Sequence, residues 1–499
     1  MNNRLSVLLS ATIISFVVMF VPGRGFAQQK LASNRLDYHL SWDGRSSLLK
    51  VDLFYNTHLA DSTVFQFGNP NPGGLTNIFG VLQNIKADRN DSLRIAGQDR
   101  QIIVRHQTPG VKKLHYEIDG TPVLDPKRAR PNEAFRPSIT SGFFYSLGYN
   151  LFMDVADSSY TELSFAWDSW PENMPYFVSS DPKAKPNERQ IVPNGERNNV
   201  LLQMNENLQR KEYVVNKIPT YLITSNSDSA SDMQQGMDPL VTKFIPKVRE
   251  FWQDYDFKFY FVSMIPLLTK VPPTMTGIGL KNGFGTRYTG ALDTEKIATI
   301  AHEVSHTWIG GRMQLKSVGM ENEWFNEGFN DYIAIYNLAR AGLFDKAAFL
   351  KYTNEEILGQ YYRNPENTTP GDSIEKNFWK SRNFEKIPYH RGFIYGFYLD
   401  NQIRLSSGSK SNIRDFLLLL YKQNRKNKKQ VFALSDFTEA LSAFLPKDQI
   451  ISEIKTYMHQ GKVLDFRTVK LIDAFSLSYQ DRVPKISISD KVSIKEIYR

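Results

Sequence analysis

None of the 499 residues is cysteine, so a disulfide framework and a lipid-modified cysteine are both excluded. Any stability outside the cytosol must come from core packing, helped at most by a metal. Beyond residue 21 no segment is apolar enough to cross a bilayer. Internal repeats and low-complexity linkers are also missing. The most concentrated basic stretch, Lys422 to Lys429, lacks the interleaved aromatics of a single-strand binding surface. It reads as a solvated loop, and no nucleic-acid partner is expected.

Hydrophobic residues make up 41% of the chain and charged residues 23%, the proportions of an ordinary globular protein. The 24 tyrosines and 33 phenylalanines lean toward strand-rich packing. Residues 1–27 have the layout of a signal peptide: Arg4, an apolar run from Leu5 to Val21, a break at Pro22-Gly23, and small residues ending at Ala27. The alternative, an N-terminal membrane anchor, calls for an apolar run nearer to about 20 residues. The reading is an exported protein, periplasmic or secreted. The formal net charge of +9 falls to +7 once Arg4 and Arg24 leave with the leader.

From about Leu36 to Tyr213 the chain reads as strands. Alternating runs such as Leu48–Tyr55 and Gln101–Arg105 are separated by Asn, Asp, Gly and Pro clusters. This predicts a β-sandwich-like domain over 28–215. A further strand is expected within Phe257–Pro266, and helical patterns dominate from Asp293 to about His459. The predicted divisions are 216–335 for a catalytic unit, 336–465 for its helical part and 466–499 for a short C-terminal segment. The fold class is α+β.

Residues 301–306 read Ala-His-Glu-Val-Ser-His. Asp293 or Thr294 can cap a helix running to Gly310, with Ile297, Ile300, Val304 and Trp308 on its apolar face. His302 and His306 then lie one turn apart and point the same way, a geometry that binds one Zn²⁺ without moving the backbone. Glu303 sits beside them, placed to take a proton from water. A third ligand is needed. A second helix, expected from near Glu323, carries Glu327, with Asp331 one turn further on and Glu323 one turn earlier. Glu327 is the favoured ligand and Glu323 the alternative. Asp331 could orient a metal-bound histidine through its free ring nitrogen. Tyr389, at the start of an apolar helix, could donate its hydroxyl to a developing oxyanion.

The helix with His302-Glu303-x-x-His306, followed by Trp324-Phe325-x-Glu327-Gly328-Phe329-x-Asp331-Tyr332, resembles a gluzincin. In detail it resembles the glycyl aminopeptidase family, relatives of the aminopeptidase-N and leukotriene-hydrolase enzymes. Twenty residues separate His306 from Glu327, a longer loop than in those relatives, which the glycyl aminopeptidase family accommodates. Asn71-Pro72-Gly73-Gly74 with Asn84–Ala87, Ala339–Leu343, and Tyr389-His390-Arg391-Gly392 with Leu399-Asp400 and Ile403-Arg404 resemble further motifs of that family. The resemblance implies a thermolysin-like catalytic domain after the β domain. It implies one zinc ion on His302, His306 and Glu327, and Glu303 as base. It also implies Tyr389 as oxyanion donor and Asp331 as support to a ligand.

Two departures stand out. The chain after about Asp465 is too short for the PDZ-like domain common in that family. Gly279-Leu280-Lys281-Asn282 occupies the place of the family's Gly-Leu-Glu-His, whose glutamate is expected to hold a substrate amine. Lys281 cannot do so, because an ammonium repels an ammonium. The expectation is a zinc metallopeptidase acting on peptides or proteins, with Gly279 and Lys281 lining the substrate site and amino-terminal specificity in doubt. The alternative is a catalytically weak, exported peptide- or glycan-binding protein on a peptidase scaffold.

Overall fold

The structure is a computed structural model describing residues 31–58, 61–68, 78–122, 124–125, 130–131, 135–225, 236–269 and 274–499. The leader-like segment 1–27 and Asn71–Gly74 lie outside the described residues.

The N-terminal region is built from strands, as the alternating runs predict. Arg35–Ser41 buries Leu36, Tyr38 and Leu40, and its antiparallel neighbour Leu48–Asn56 buries Leu49, Val51, Leu53 and Tyr55. A period of two puts these side chains on one face, and one shared core forms beneath them. The six-stranded sheet that holds both strands packs with two four-stranded sheets around that core.

The second region opens with a five-stranded mixed sheet. In chain order its strands are β1 (Leu208–Val215), β2 (Ile218–Ser225), β3 (Tyr260–Pro266), β4 (Thr274–Leu280) and β5 (Gly283–Thr289). Their spatial order is β1-β2-β3-β5-β4, so β4 is an edge strand, antiparallel to β5. Helices then cover the sheet: α1 (Thr294–Ser305), α2 (Asn330–Ala341), α3 (Ile387–Ser407) and α4 (Ile413–Lys426). One apolar core runs from Val215 to Tyr498. The hairpin Phe475–Gln480/Val483–Ile488 and the turn Ile494–Ile497 contribute to it, and Tyr498 is buried against Tyr336 and Phe349.

The two regions meet through a third apolar cluster, in which Phe143, Tyr145 and Leu201 pack on Tyr221, Phe261 and Leu280. The guanidinium of Arg287 lies 4.4 Å over the Tyr145 ring. The short 3-10 helix Asn194–Asn199 of the N-terminal region lies beside the turn between β4 and β5.

Candidate metal centre

Asp293 caps α1, its side chain accepting from the Lys296 amide. The helix stops at Ser305, five residues before the predicted Gly310. Gly310 adopts φ +91°, and its amide bonds to the Met313 carbonyl, so the chain folds back on itself. The turn has a consequence for His306, whose Nδ1 lies 3.0 Å from the Ile309 carbonyl. Buried Asp254 secures the same turn by accepting from Trp308 Nε1 at 2.9 Å and from Arg312.

The second helix begins as predicted near Glu323, but its first turn, Trp324–Phe329, is π-helical before it runs into α2. Such wide turns recur at functional sites because they re-aim a side chain without ending the helix. α3 crosses this turn at very close range. A Cβ on Gly328 would fall 2.5 Å from the Gly392 Cα, and one on Gly392 would overlap the Trp324 carbonyl. Only glycine at both positions lets the backbones approach so closely. The crossing brings Tyr389 over His302, with ring centroids 5.9 Å apart.

His302, His306 and Glu327 come together, their candidate ligand atoms all within 4.8 Å of one another. Glu327 Oε2 lies 3.3 Å from His302 Nε2 and 3.4 Å from His306 Nε2. A tetrahedron with metal bonds of about 2.0–2.1 Å has edges of about 3.3 Å, so the donor set fits zinc in type and spacing. Both rings use Nδ1 elsewhere, which leaves each Nε2 facing the shared point, where it pairs with Glu327. His302 Nδ1 lies 2.7 Å from Asp331 Oδ1, and Asn330 Nδ2 donates to the His302 carbonyl at 2.9 Å. Burial works to raise the Glu327 pKa, but the two imidazoles hold it well below the usual carboxylate range.

Glu323 stands apart from that cluster. Its Oε1 accepts from Asn326 at 3.2 Å, and burial, followed by the Glu327 charge, pushes its pKa up to about 7. Glu303, by contrast, faces β4. A Cβ on Gly277 would lie 2.6 Å from Glu303 Oε1, and one on Gly279 would lie 3.0 Å from the His306 Cβ. Bare glycine on this strand leaves room for the carboxylate. Burial raises the Glu303 pKa, with the two imidazoles pulling the other way. Among the described residues neither Glu303 nor the Tyr389 hydroxyl has a hydrogen-bond partner. Burial, then the surrounding carboxylates, pushes the Tyr389 phenol up, so it stays protonated.

Lys281 sits in the turn after β4, two residues beyond Gly279. Its Nζ pairs with Glu196 Oε1 at 2.6 Å, and its amide bonds to Asn199 Oδ1 at 2.9 Å. Neither Glu196 nor Asn199 was selected from sequence, because both lie more than 80 positions away in the N-terminal region. Asp400 and Arg404, matched to the tyrosine-bearing helix, form a buried structural pair at 3.0 Å that also holds Tyr332.

The fold is that of the M1 zinc metallopeptidases. An aminopeptidase N family protein from Idiomarina loihiensis superposes with a TM-score of 0.71 at 14% identity, over 86% of this chain and 77% of that one. The M1 zinc metallopeptidase from Deinococcus radiodurans gives a TM-score of 0.52 at 13% identity, over 88% and 96%. Yeast LTA4 hydrolase, solved in complex with bestatin, gives 0.53 at 14% identity, over 87% and 68%. Among curated proteins, a stretch of 191 residues is 24% identical to leucine aminopeptidase 2 of Pyricularia oryzae, covering 37% of this chain and 30% of that protein. The enzyme of the same name from Emericella nidulans matches over 193 residues at 24% identity. The match thus spans less than a third of the length of these curated relatives. No protein-family profile matches the chain.

Proposed function

We propose that this chain is an exported zinc-dependent peptidase that hydrolyses peptide bonds with water, using one zinc ion on His302, His306 and Glu327. The observation that carries the reading is the convergence of those three donors, within 4.8 Å, beside a buried carboxylate and a phenol that have no hydrogen-bond partner among the described residues. A zinc ion held there would act as a Lewis acid on the scissile carbonyl and acidify water. The chain's own residues do the rest. Glu303, with its raised pKa, accepts the proton of the attacking water and returns it to the departing amine. Tyr389 donates its O–H to the oxygen on which negative charge develops. Asp331 and the Ile309 carbonyl hold the two imidazoles in the tautomer that leaves Nε2 free. The export reading rests on the layout of residues 1–27, and among the described residues no helix is long and apolar enough to cross a membrane.

Specificity for a free amino terminus is expected to be weak. Glu196 supplies a carboxylate at the turn after β4, and Lys281 already pairs with it. An incoming amine would have to displace that lysine. The test compares free and N-acetylated versions of one peptide, with Glu303→Gln as the inactive control. Comparable rates on both peptides are expected. A strong preference for the free amine that survives Lys281→Ala would overturn the specificity claim. Equal turnover by the wild type and Glu303→Gln would overturn the enzyme reading in favour of a binding protein on a peptidase scaffold.

A further inference from the structure

The cations carried by the elements that build the metal centre differ in one respect. Lys281 is tied to Glu196, Arg391 donates to the carbonyls of Asn367, Thr369 and Met458, and Lys296 pairs with its helix cap Asp293. Lys386 has no such partner. It sits at the entrance to α3, three residues before Tyr389, and its Nζ lies 4.6 Å over the Tyr389 ring. Among the described residues its ammonium makes no ion pair and no hydrogen bond, so its three N–H donors have no protein partner there.

The position is partly buried, and burial is the main reason its pKa falls below the usual lysine value. The carboxylates whose fields reach it most strongly are Asp331, Glu385 and Glu327. Asp331 is engaged with His302 Nδ1 and Glu327 with both Nε2 atoms, so neither is available to pair with it. Its neighbours on the other side are cationic or neutral: Arg382 one turn earlier, and buried His390, which stays neutral with a pKa of about 3 because of burial and then the charges of Lys386 and Arg382. An ammonium partly withdrawn from water, with no partner among the described residues, is costly, and a cation–π contact offsets only part of that cost. Among the described residues no counter-charge is on offer, and the Tyr389 hydroxyl beneath the ammonium is also without a partner there, so a substrate can supply the missing charge.

We propose that Lys386 is a specificity-determining residue that binds a carboxylate of the peptide substrate, beside the position where Tyr389 meets the scissile carbonyl. This rests on the peptidase reading above. The carboxylate has two chemical sources, the free C-terminus of a short peptide or an acidic side chain in a longer one. The recognition is the same in both: a charge-assisted pair with an otherwise unsatisfied ammonium.

The test is calorimetric binding to the zinc-loaded full chain carrying Glu303→Gln, which removes turnover from the readout. Four matched peptides are titrated: a short free acid, its C-terminal amide, and longer amides with Glu or Gln at one internal position. The inference expects a carboxylate-bearing peptide to bind at least about tenfold tighter than its neutral match. Lys386→Met should erase that margin, and Lys386→Arg should restore most of it. Preference for the free acid assigns the terminal carboxylate, and preference for Glu over Gln assigns the side chain. Equal binding of charged and neutral peptides in the Lys386 protein overturns the inference whether or not Lys386→Met folds, and leaves the peptidase reading standing. A preference that Lys386→Met leaves intact also overturns it. If none of the four peptides binds, the peptidase reading falls, and this inference with it.

Discussion

The two walls of the metal centre, one that would hold the ion and one that faces it, are built on opposite principles. On one side the groups that would hold the metal, carried by α1 and the helix that runs into α2, are engaged: His302 with Asp331, His306 with Ile309, and Glu327 with both imidazoles, while Asn330 donates to the His302 carbonyl. Toward β4 and α3 the side chains of Glu303, which α1 carries but aims at β4, of Tyr389 and of Lys386 have no hydrogen-bond partner among the described residues. Groups that hold an ion must be oriented before it arrives, so they are fixed by neighbours. Groups that exchange protons or meet a substrate must keep their donors and acceptors free, so their bonds are left to the reaction.

That contrast can be broken from either wall. On the open wall, Tyr389→Phe removes one donor to the oxyanion and should lower kcat by about 100- to 1,000-fold while KM and zinc content hold. A kcat within a factor of a few of wild type would remove Tyr389 from the chemistry. On the engaged wall, Asp331→Asn keeps the shape but loses the charge behind His302. Zinc affinity, read by chelator competition, should weaken by about 10- to 100-fold. Unchanged affinity would mean that the Asp331 contact is only packing. The joint between the walls is tested by Gly392→Ala, whose added methyl meets the Trp324 carbonyl. A loss of about 1–3 kcal/mol in stability is expected from denaturant melts. No loss would mean that the crossing is looser than described.

The smallest effect concerns a histidine–aspartate pair that belongs to neither wall. In the N-terminal sheet His39 lies 2.9 Å from Asp168 and 3.4 Å from Asp37, which raises its pKa to about 9, chiefly through the Asp168 and Asp37 hydrogen bonds. The charged form is the one stabilised. Its contribution is therefore complete below the unfolded value of about 6.5 and is lost as pH rises toward 9. The site is partly solvated, so about 1 kcal/mol is expected. His39→Gln should flatten that part of the stability profile and leave zinc binding alone. If it lowered zinc affinity as Asp331→Asn does, the distinction between a structural pair and a ligand support would fail.

His39 also marks what sequence can and cannot convey. A pattern along one helix is legible, because 3.6-residue periodicity sets which side chains share a face. His302 and His306 follow from such a pattern; Glu323 and Glu327 share a face by the same period, so the choice of Glu327 needed its surrounding helix and the family resemblance, and the structure brings Glu327 beside the two histidines. The strands Leu48–Asn56 and Gln101–Arg105 were legible for the same reason, with a period of two. Three features depend on chain segments far apart in sequence. Gly277 makes space for Glu303, Gly328 meets Gly392, and Glu196 captures Lys281 from 85 residues away. The helix end at Ser305 was missed because the apolar spacing continues to Trp308 after the backbone has turned. Lys386 carried a faint signal, three residues before a tyrosine already singled out. Only its lack of partners gives it meaning.

The central claim is tested most directly by hydrolysis of a broad peptide pool by the purified full chain, before and after chelation and zinc add-back, with bound zinc counted alongside. The account predicts one zinc per chain, loss of cleavage on chelation, recovery with zinc, and a Glu303→Gln protein that keeps its zinc but not its cleavage. Cleavage that survives complete zinc removal, or that Glu303→Gln leaves untouched, would contradict it.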